Sequence, residues 1–411
     1  MAGHTPEYSI APEHSIAIVG AGIAGLTAAL AFAARGSSVT IFERADRIEE
    51  LGAGIQLSPN ATRLLDRLGI LESLGQKSTQ PQGIVIRSAR SLAKLAEVPL
   101  SNAQQRWGAP YLVLRRSDLQ GTLLAAAEQD SRITIRTGAE IRNISFSGDG
   151  NSVELDVAGS YPERHSFSLV IGADGVWSGI RSQIGGSPSR FTGDVAYRAV
   201  LNAEEAAKFR ASLLPPNLVS TFASPGFHLV TYPLADGAFN LVIIAQGSPL
   251  AKRWENMADI AEMSAAARKA DPALASLIVQ SGPWHAWPIH EVRSPASWSK
   301  GGRLVLIGDA AHALAPHAAQ GAAMAVEDAV LLAKLVHHVP DTGKALALFE
   351  KRRRSRLARV ALRGQFNHFA WQVGGPAALV RDIILRLRPG EKLAADFDWL
   401  YGHDVEETPL V

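Results

Sequence analysis

The chain predicts an α/β protein built around an open parallel sheet, and three observations carry that prediction. Residues 16–19, 167–172 and 303–307 are short apolar runs of the kind found in strands buried on both faces. Each run ends in a glycine-bearing turn, at Gly20, at Gly172-Ala173-Asp174-Gly175 and at Gly308-Asp309. Between and beyond these runs lie Ala/Leu-rich segments with helical spacing, the alternation that builds strand–helix–strand crossovers.

The elements follow in order. Residues 1–14 read as a flexible polar tail, and 16–19 as the first strand. An apolar helix then runs to about Arg35, with Gly36 as its stop signal, and 39–42 form a second strand ending at Glu43. Residues 60–75 predict one helix, with Leu64, Leu65, Leu68 and Leu71 on its apolar face. Residues 80–115 are strand-rich and irregular. Residues 117–129 predict a helix capped by Ser117, with Asp118 in its first turn. Short strands are expected at 133–135, 141–146 and 153–157, then at 167–172. Residues 190–300 are rich in strand formers and turns. After the strand at 303–307, helices are expected at 321–336 and, strongly basic, at 344–365.

Composition narrows the function. The 411 residues are 47% hydrophobic and 19% charged, enough for roughly two to three packed domains. With no cysteine, disulfides, thiolate metal sites, iron–sulfur clusters and cysteine nucleophiles are excluded, and a cytoplasmic location is weakly favoured. A net charge of +2 argues against a nucleic-acid binder. The uncharged run 16–34 approaches a membrane-spanning length, but it contains Gly20, Gly22 and Gly25 and follows a segment with no Lys or Arg. No membrane span is expected. No metal is expected either: His285 and His290 flank Trp287 without a carboxylate pair at metal-ligand spacing. The run Lys351-Arg352-Arg353-Arg354 with Arg356, Arg359 and Arg363 reads as a solvated helix face paired with acids.

The first turn matches GxGxxG as Gly20-Ala21-Gly22-Ile23-Ala24-Gly25. Gly20 permits the tight turn, Gly22 lets the backbone approach a pyrophosphate, and Gly25 lets helix and strand pack closely. The helix N-terminus faces the anion, and Glu43 can accept hydrogen bonds from a ribose diol. This is a Rossmann-like dinucleotide site, and the motif alone does not separate NAD from FAD. Asp174 and Asp309 each follow a buried strand, where ligands sit in doubly wound sheets. Taken singly, either could be a helix cap.

In order, GxGxxG, GADGxxSxxR at 172–181 and GDAAHxxxP at 308–316 resemble the FAD-dependent aromatic hydroxylases of the para-hydroxybenzoate hydroxylase class. The segment Gly52-Ala53-Gly54-Ile55-Gln56-Leu57-Ser58-Pro59-Asn60-Ala61, the Ala319-Gln320-Gly321-Ala322 stretch and the ending Asp398-Trp399-Leu400-Tyr401-Gly402 are similar to the salicylate hydroxylase and 3-hydroxybenzoate 6-hydroxylase branch. The resemblance implies a GR2-type FAD-binding domain, discontinuous over 1–79, 111–189 and 301–375. A mixed β-sheet substrate domain is inserted at 80–110 and 190–300, and 376–411 form a C-terminal helical segment.

The resemblance also implies FAD as cofactor, NADH or NADPH as reductant, and O2 added at flavin C4a as a hydroperoxide that hydroxylates a small phenolic acid. The FAD-contacting residues it implies are Gly20, Gly22, Ala24, Gly25, Glu43, Arg44, Gln56, Arg116, Asp174, Gly308, Asp309, Pro316, Gly321 and Ala322. The pocket residues it implies are His228 as phenol base, Tyr232 on the same strand face, and Gln320. Arg115, Ala313 and His317 depart from the commoner residues at their positions, and His317 lies near the expected flavin face. A homodimer is the expected assembly. Epoxidation, hydroxylation of an N-heteroaromatic ring, and non-catalytic flavin binding are the alternatives. A plain NAD-dependent dehydrogenase would leave Asp174 and Asp309 unexplained.

Overall fold

A computed structural model describes residues 15–48, 54–158, 163–251, 256–292 and 297–410. The expected tail at 1–14 lies outside the described residues, as do Gly52 and Ala53. One six-stranded sheet is parallel except at its edge. Its order is Ser299–Lys300, Leu304–Leu306, Leu169–Gly172, Ser15–Val19, Ser38–Phe42 and Ile133–Arg136, with only Ser299–Lys300 antiparallel. Ser15–Val19 sits at the centre of the sheet, and its residues from Ile16 onward are buried. Helix Ile23–Ala33 is apolar all round, and it too is almost entirely buried, against the sheet and helix Gly321–His338.

A second, eight-stranded sheet is mixed. Its order is Asn256–Met257, His285–Glu291, Arg190–Leu201, Phe239–Gln246, Phe227–Pro233, Leu218–Ser224, Gly83–Ser88 and Lys94–Pro99. Leu218–Ser224 and Gly83–Ser88 run parallel; the other pairs are antiparallel. Helix Thr342–Gln372 runs from beside Gly321–His338 to the strands Leu218–Ser224 and Phe227–Pro233, so it touches both bodies. Among the described residues no helix is long and apolar enough to cross a membrane.

Four local expectations are corrected. The helix expected over 60–75 is two pieces, Pro59–Arg67 and Leu71–Leu74, because Gly69 takes a left-handed φ of 73° between them. The run 167–172 is two strands of different sheets. Phe167 ends the antiparallel strand Glu163–Phe167, and Leu169 opens the parallel strand Leu169–Gly172. Ser117 does not cap its helix, which begins one residue earlier as Arg116–Gln129 with Arg115 at the cap. The basic run is not simply a solvated face: Lys351 and Arg359 are exposed, but Arg353 and Arg356 are buried against Glu327 and Asp328.

Candidate active site

The strand order brings four turns side by side. Leu304–Leu306, Leu169–Gly172, Ser15–Val19 and Ser38–Phe42 are successive parallel neighbours, so Gly308-Asp309, Asp174, the glycine turn and Glu43 leave the sheet at one edge. Neighbouring strands lie about 4.8 Å apart, which makes this edge one continuous surface.

The glycines have distinct jobs. Gly20 has a φ of 105°, and a Cβ there would sit 2.5 Å from the Ala173 carbonyl oxygen. A Cβ on Gly25 would collide with the Gly20 carbonyl oxygen. At Gly22 nothing lies within 4 Å, so the turn is open on the side a ligand would approach. Helix Ile23–Ala33 has no side-chain cap and no acid in its first turn, leaving its amide hydrogens available to an anion. Glu43 is fixed beside them: its carboxylate accepts from Ala21 N at 2.8 Å and from Ala45 N at 3.0 Å. Ala24 faces the third turn, where a Cβ on Gly308 would meet its methyl at 3.0 Å.

The second and third motifs are tied together. Ser178 caps the short helix Gly179–Gln183 by accepting from Arg181 N. The Arg181 guanidinium then donates to Ala310 O at 2.9 Å and to Val176 O at 2.7 Å. Asp174 Oδ2 accepts from Ile180 N, while its buried Oδ1 has no partner. Asp309 is exposed although its neighbours Gly308 and Ala310 are buried. An unpartnered buried carboxylate oxygen, a projecting acid and an open glycine turn on one edge fit the phosphates and polyol of a flavin dinucleotide.

The remaining expected contacts lie on several other elements. Gln56 accepts from the Tyr111 hydroxyl at 2.7 Å. Arg116 is half-buried at the start of its helix, and Arg44 is exposed after Glu43. Pro316 opens the turn Pro316–Ala318, and Gly321 and Ala322 open helix Gly321–His338.

Behind the third motif stands a buried ionic network. Asp328 accepts from Gly308 N at 2.8 Å and pairs with His312 and Arg353. Glu327 pairs with Arg353 and Arg356 and accepts from Asn60 Nδ2 at 2.7 Å. Burial would push the Glu327 carboxyl up, but the two guanidinium groups pull it down to about 2.

The expected pocket residues come from both bodies. His228 and Tyr232 share strand Phe227–Pro233 and are both buried. Tyr232 lies against Gly54, where a Cβ would come within 2.6 Å of its ring. Gln320 is held by Ser58, whose Oγ accepts from its Nε2 at 2.9 Å, and lies near Asn60. No described contact joins Gln320 to His228. His228 instead meets Trp371, with ring centres 5.0 Å apart, and His317 at 5.8 Å.

Gln372 Nε2 donates to His228 Nδ1 at 3.0 Å. A neutral His228 therefore carries its proton on Nε2, the nitrogen left without a partner. Burial, then His317 and His368, hold this imidazole well below its usual range. His228 is thereby set as a hydrogen-bond donor, not with a free basic lone pair. Sequence reasoning missed Gln372, Trp371, Ser58 and Asn60 as neighbours of these residues. No short-range signal marks Trp371 and Gln372, which arrive at the end of a long helix.

These features define a flavin-dinucleotide architecture, with a glycine- and aspartate-bearing edge on one sheet and buried polar and aromatic side chains, His228 and Tyr232 among them, on the next. Residues 13–363 match the FAD binding domain family, and the chain belongs to it. It is 34% identical to a 3-hydroxybenzoate 6-hydroxylase of Polaromonas naphthalenivorans over 95% of this chain and 96% of that protein. A 6-hydroxynicotinate 3-monooxygenase of Bordetella bronchiseptica is 31% identical, over 96% and 97%. A salicylate hydroxylase substrate complex shares the fold, with a TM-score of 0.80 at 22% identity and 97% of each chain covered. The chain is an FAD-dependent monooxygenase of the aromatic hydroxylase type.

Proposed function

We propose that this protein hydroxylates a small phenolic acid of the 3-hydroxybenzoate or salicylate kind, with NADH or NADPH as reductant and O2 as oxidant. The observation that carries the reading is His228, a buried imidazole whose Nε2 hydrogen has no acceptor inside the protein. When bound, the flavin supplies reduction by the pyridine nucleotide and activation of oxygen toward an electron-rich ring. Asp174, Asp309, Glu43 and the glycine turn would hold that cofactor.

The other steps belong to the chain's own side chains. His228 Nε2–H would donate to the oxygen of a substrate bound as its phenolate, the phenol proton having passed to solvent, and stabilise that anion, which raises the nucleophilicity of the ring. Trp371 and the neighbouring histidines would exclude water around it. Tyr232, closed against Gly54, would limit the space beside the ring, and Gln320, fixed by Ser58, would line its flavin side. In this reading the FAD-binding part comprises 1–79, 111–189 and 301–375, and the substrate sheet 80–110 and 190–300. Similarity to hydroxybenzoate hydroxylases along nearly the whole chain supports it.

The test is oxidation of NADH and of NADPH against salicylate, 3-hydroxybenzoate, 4-hydroxybenzoate and 6-hydroxynicotinate, counting hydroxylated product and hydrogen peroxide. One phenolic acid should speed oxidation and yield product with little peroxide. His228→Ala should cut that turnover by about 100-fold while the flavin spectrum persists. Silence across the phenolic acids overturns the reading, and a response to 6-hydroxynicotinate alone moves it to N-heteroaromatic hydroxylation.

A further inference from the structure

Beside His228, three side chains from distant parts of the chain converge. Asp194 lies on strand Arg190–Leu201, His317 in the turn Pro316–Ala318, and His368 on helix Thr342–Gln372. Their ligand-type atoms all lie within 4.8 Å of one another. We propose that Asp194, His317 and His368 bind a divalent cation of the zinc type.

The distances are informative because they are too long for hydrogen bonds. Asp194 Oδ2 is 3.8 Å from His317 Nε2 and 3.6 Å from His368 Nε2, beyond the usual limit of about 3.2 Å. Two donors across a tetrahedral zinc ion, with metal–ligand bonds of about 2.0–2.1 Å, stand about 3.3 Å apart. The observed gaps need to close by only a few tenths of an ångström to meet that figure. The two imidazoles stack face to face, 3° from parallel with centres 4.2 Å apart, so one ring would turn out of the stack for both nitrogen lone pairs to reach one ion.

Charge gives a second and independent reason. Asp194 is 6% exposed, and among the described residues the charged or titratable groups that meet its carboxylate are the two imidazoles, at 3.8 and 3.6 Å. A buried carboxylate is paired, protonated or bound to a cation. The two groups facing it are imidazoles, and two imidazolium ions stacked at this distance would repel each other. A single cation shared by all three groups removes both difficulties. Two imidazoles and one carboxylate form the borderline donor set that suits zinc, cobalt or nickel over magnesium or calcium. Asn367 Nδ2 donates to His317 O at 3.0 Å and holds the turn onto the helix, so two of the three ligands are already positioned. Three protein ligands leave a position for water or another small ligand.

Co2+ titrated into the FAD-loaded, chelator-treated protein tests this, with absorbance read at wavelengths longer than the flavin bands and metal counted by mass spectrometry. One ion per chain, with the intense visible bands of a four-coordinate site and displacement by Zn2+, is the expected result. His368 is half-exposed, so His368→Ala should fold, and it should weaken binding by about 100-fold or more. Asp194→Asn should do the same, and His337→Ala, on an exposed helix end, should leave binding unchanged. Failure of the wild-type protein to take up Co2+ or Zn2+ overturns the proposal. So does a His368→Ala variant that binds as tightly as wild type.

Discussion

Two buried polar clusters flank the third flavin motif, and they differ in one respect. Around Glu327 and Asp328 the groups are matched: Arg353 reaches both carboxylates, Arg356 and Asn60 complete Glu327, and His312 with Gly308 N completes Asp328. Around Asp194, His228 and His317 they are not. His228 Nε2 and His317 Nδ1 are buried without partners, and Asp194 Oδ2 stands 3.8 and 3.6 Å from the His317 and His368 rings, too far for hydrogen bonds. A saturated network fixes a backbone; an unsaturated one is a place where something else belongs. The first cluster holds the Gly308 turn in position, and the second faces the space where ligands are proposed.

The comparison breaks most visibly at Arg353. Arg353→Met would strand two buried carboxylates, and a loss of about 3–5 kcal/mol in a urea melt is expected. A loss below about 1 kcal/mol would mean that the network is not the anchor described here. Acid should expose the same cluster. Glu327 is held below its unfolded value of about 4.3, so its contribution is complete above that pH and disappears as pH falls toward about 2. The melting temperature should fall over that window, and Glu327→Gln, less stable at neutral pH, should lose part of the dependence.

The second cluster should respond with the opposite sign. Burial raises the Asp194 carboxyl, partly offset by His368. A carboxyl raised above its unfolded value of about 3.9 costs stability as pH rises past that value, in full once pH exceeds its folded value. In chelator-treated protein at neutral pH, Asp194→Asn should therefore melt no lower than wild type, and up to about 1 kcal/mol higher in stability. A clear loss would show that the carboxylate is already satisfied. The smallest effect is expected at Gln372. Gln372→Leu removes one donor from His228 and from the Ile244 carbonyl, for about 1 kcal/mol. Nitrogen chemical shifts of the His228 ring should then report loss of the single tautomer.

What could be read from the chain itself tracks the range of the interactions. The dinucleotide edge was legible because each part is local: a buried strand, a turn whose glycines or aspartate follow at once, and a helix. The inward turn of Arg353 and Arg356 was not, since it depends on Glu327 and Asp328 of the preceding helix lying opposite. Gly69, which divides the helix expected over 60–75, is a local breaker that the leucine spacing outweighed. Ser168 separates strands of two different sheets, a boundary no apolar run can mark. Asp194, His317 and His368 carry no shared spacing, because three different elements bring them together.

The strand order also sets a timetable. Leu304–Leu306 takes its place beside Leu169–Gly172, and Arg181 waits for the Ala310 carbonyl before its motif is complete. During synthesis the glycine turn emerges early, yet the cradle lacks a wall until more than two thirds of the chain has been made. Yellow colour in a truncated product should thus require a chain that extends past Leu306 and the Ala310 carbonyl, which makes the cofactor a reporter of sheet closure as much as a reagent.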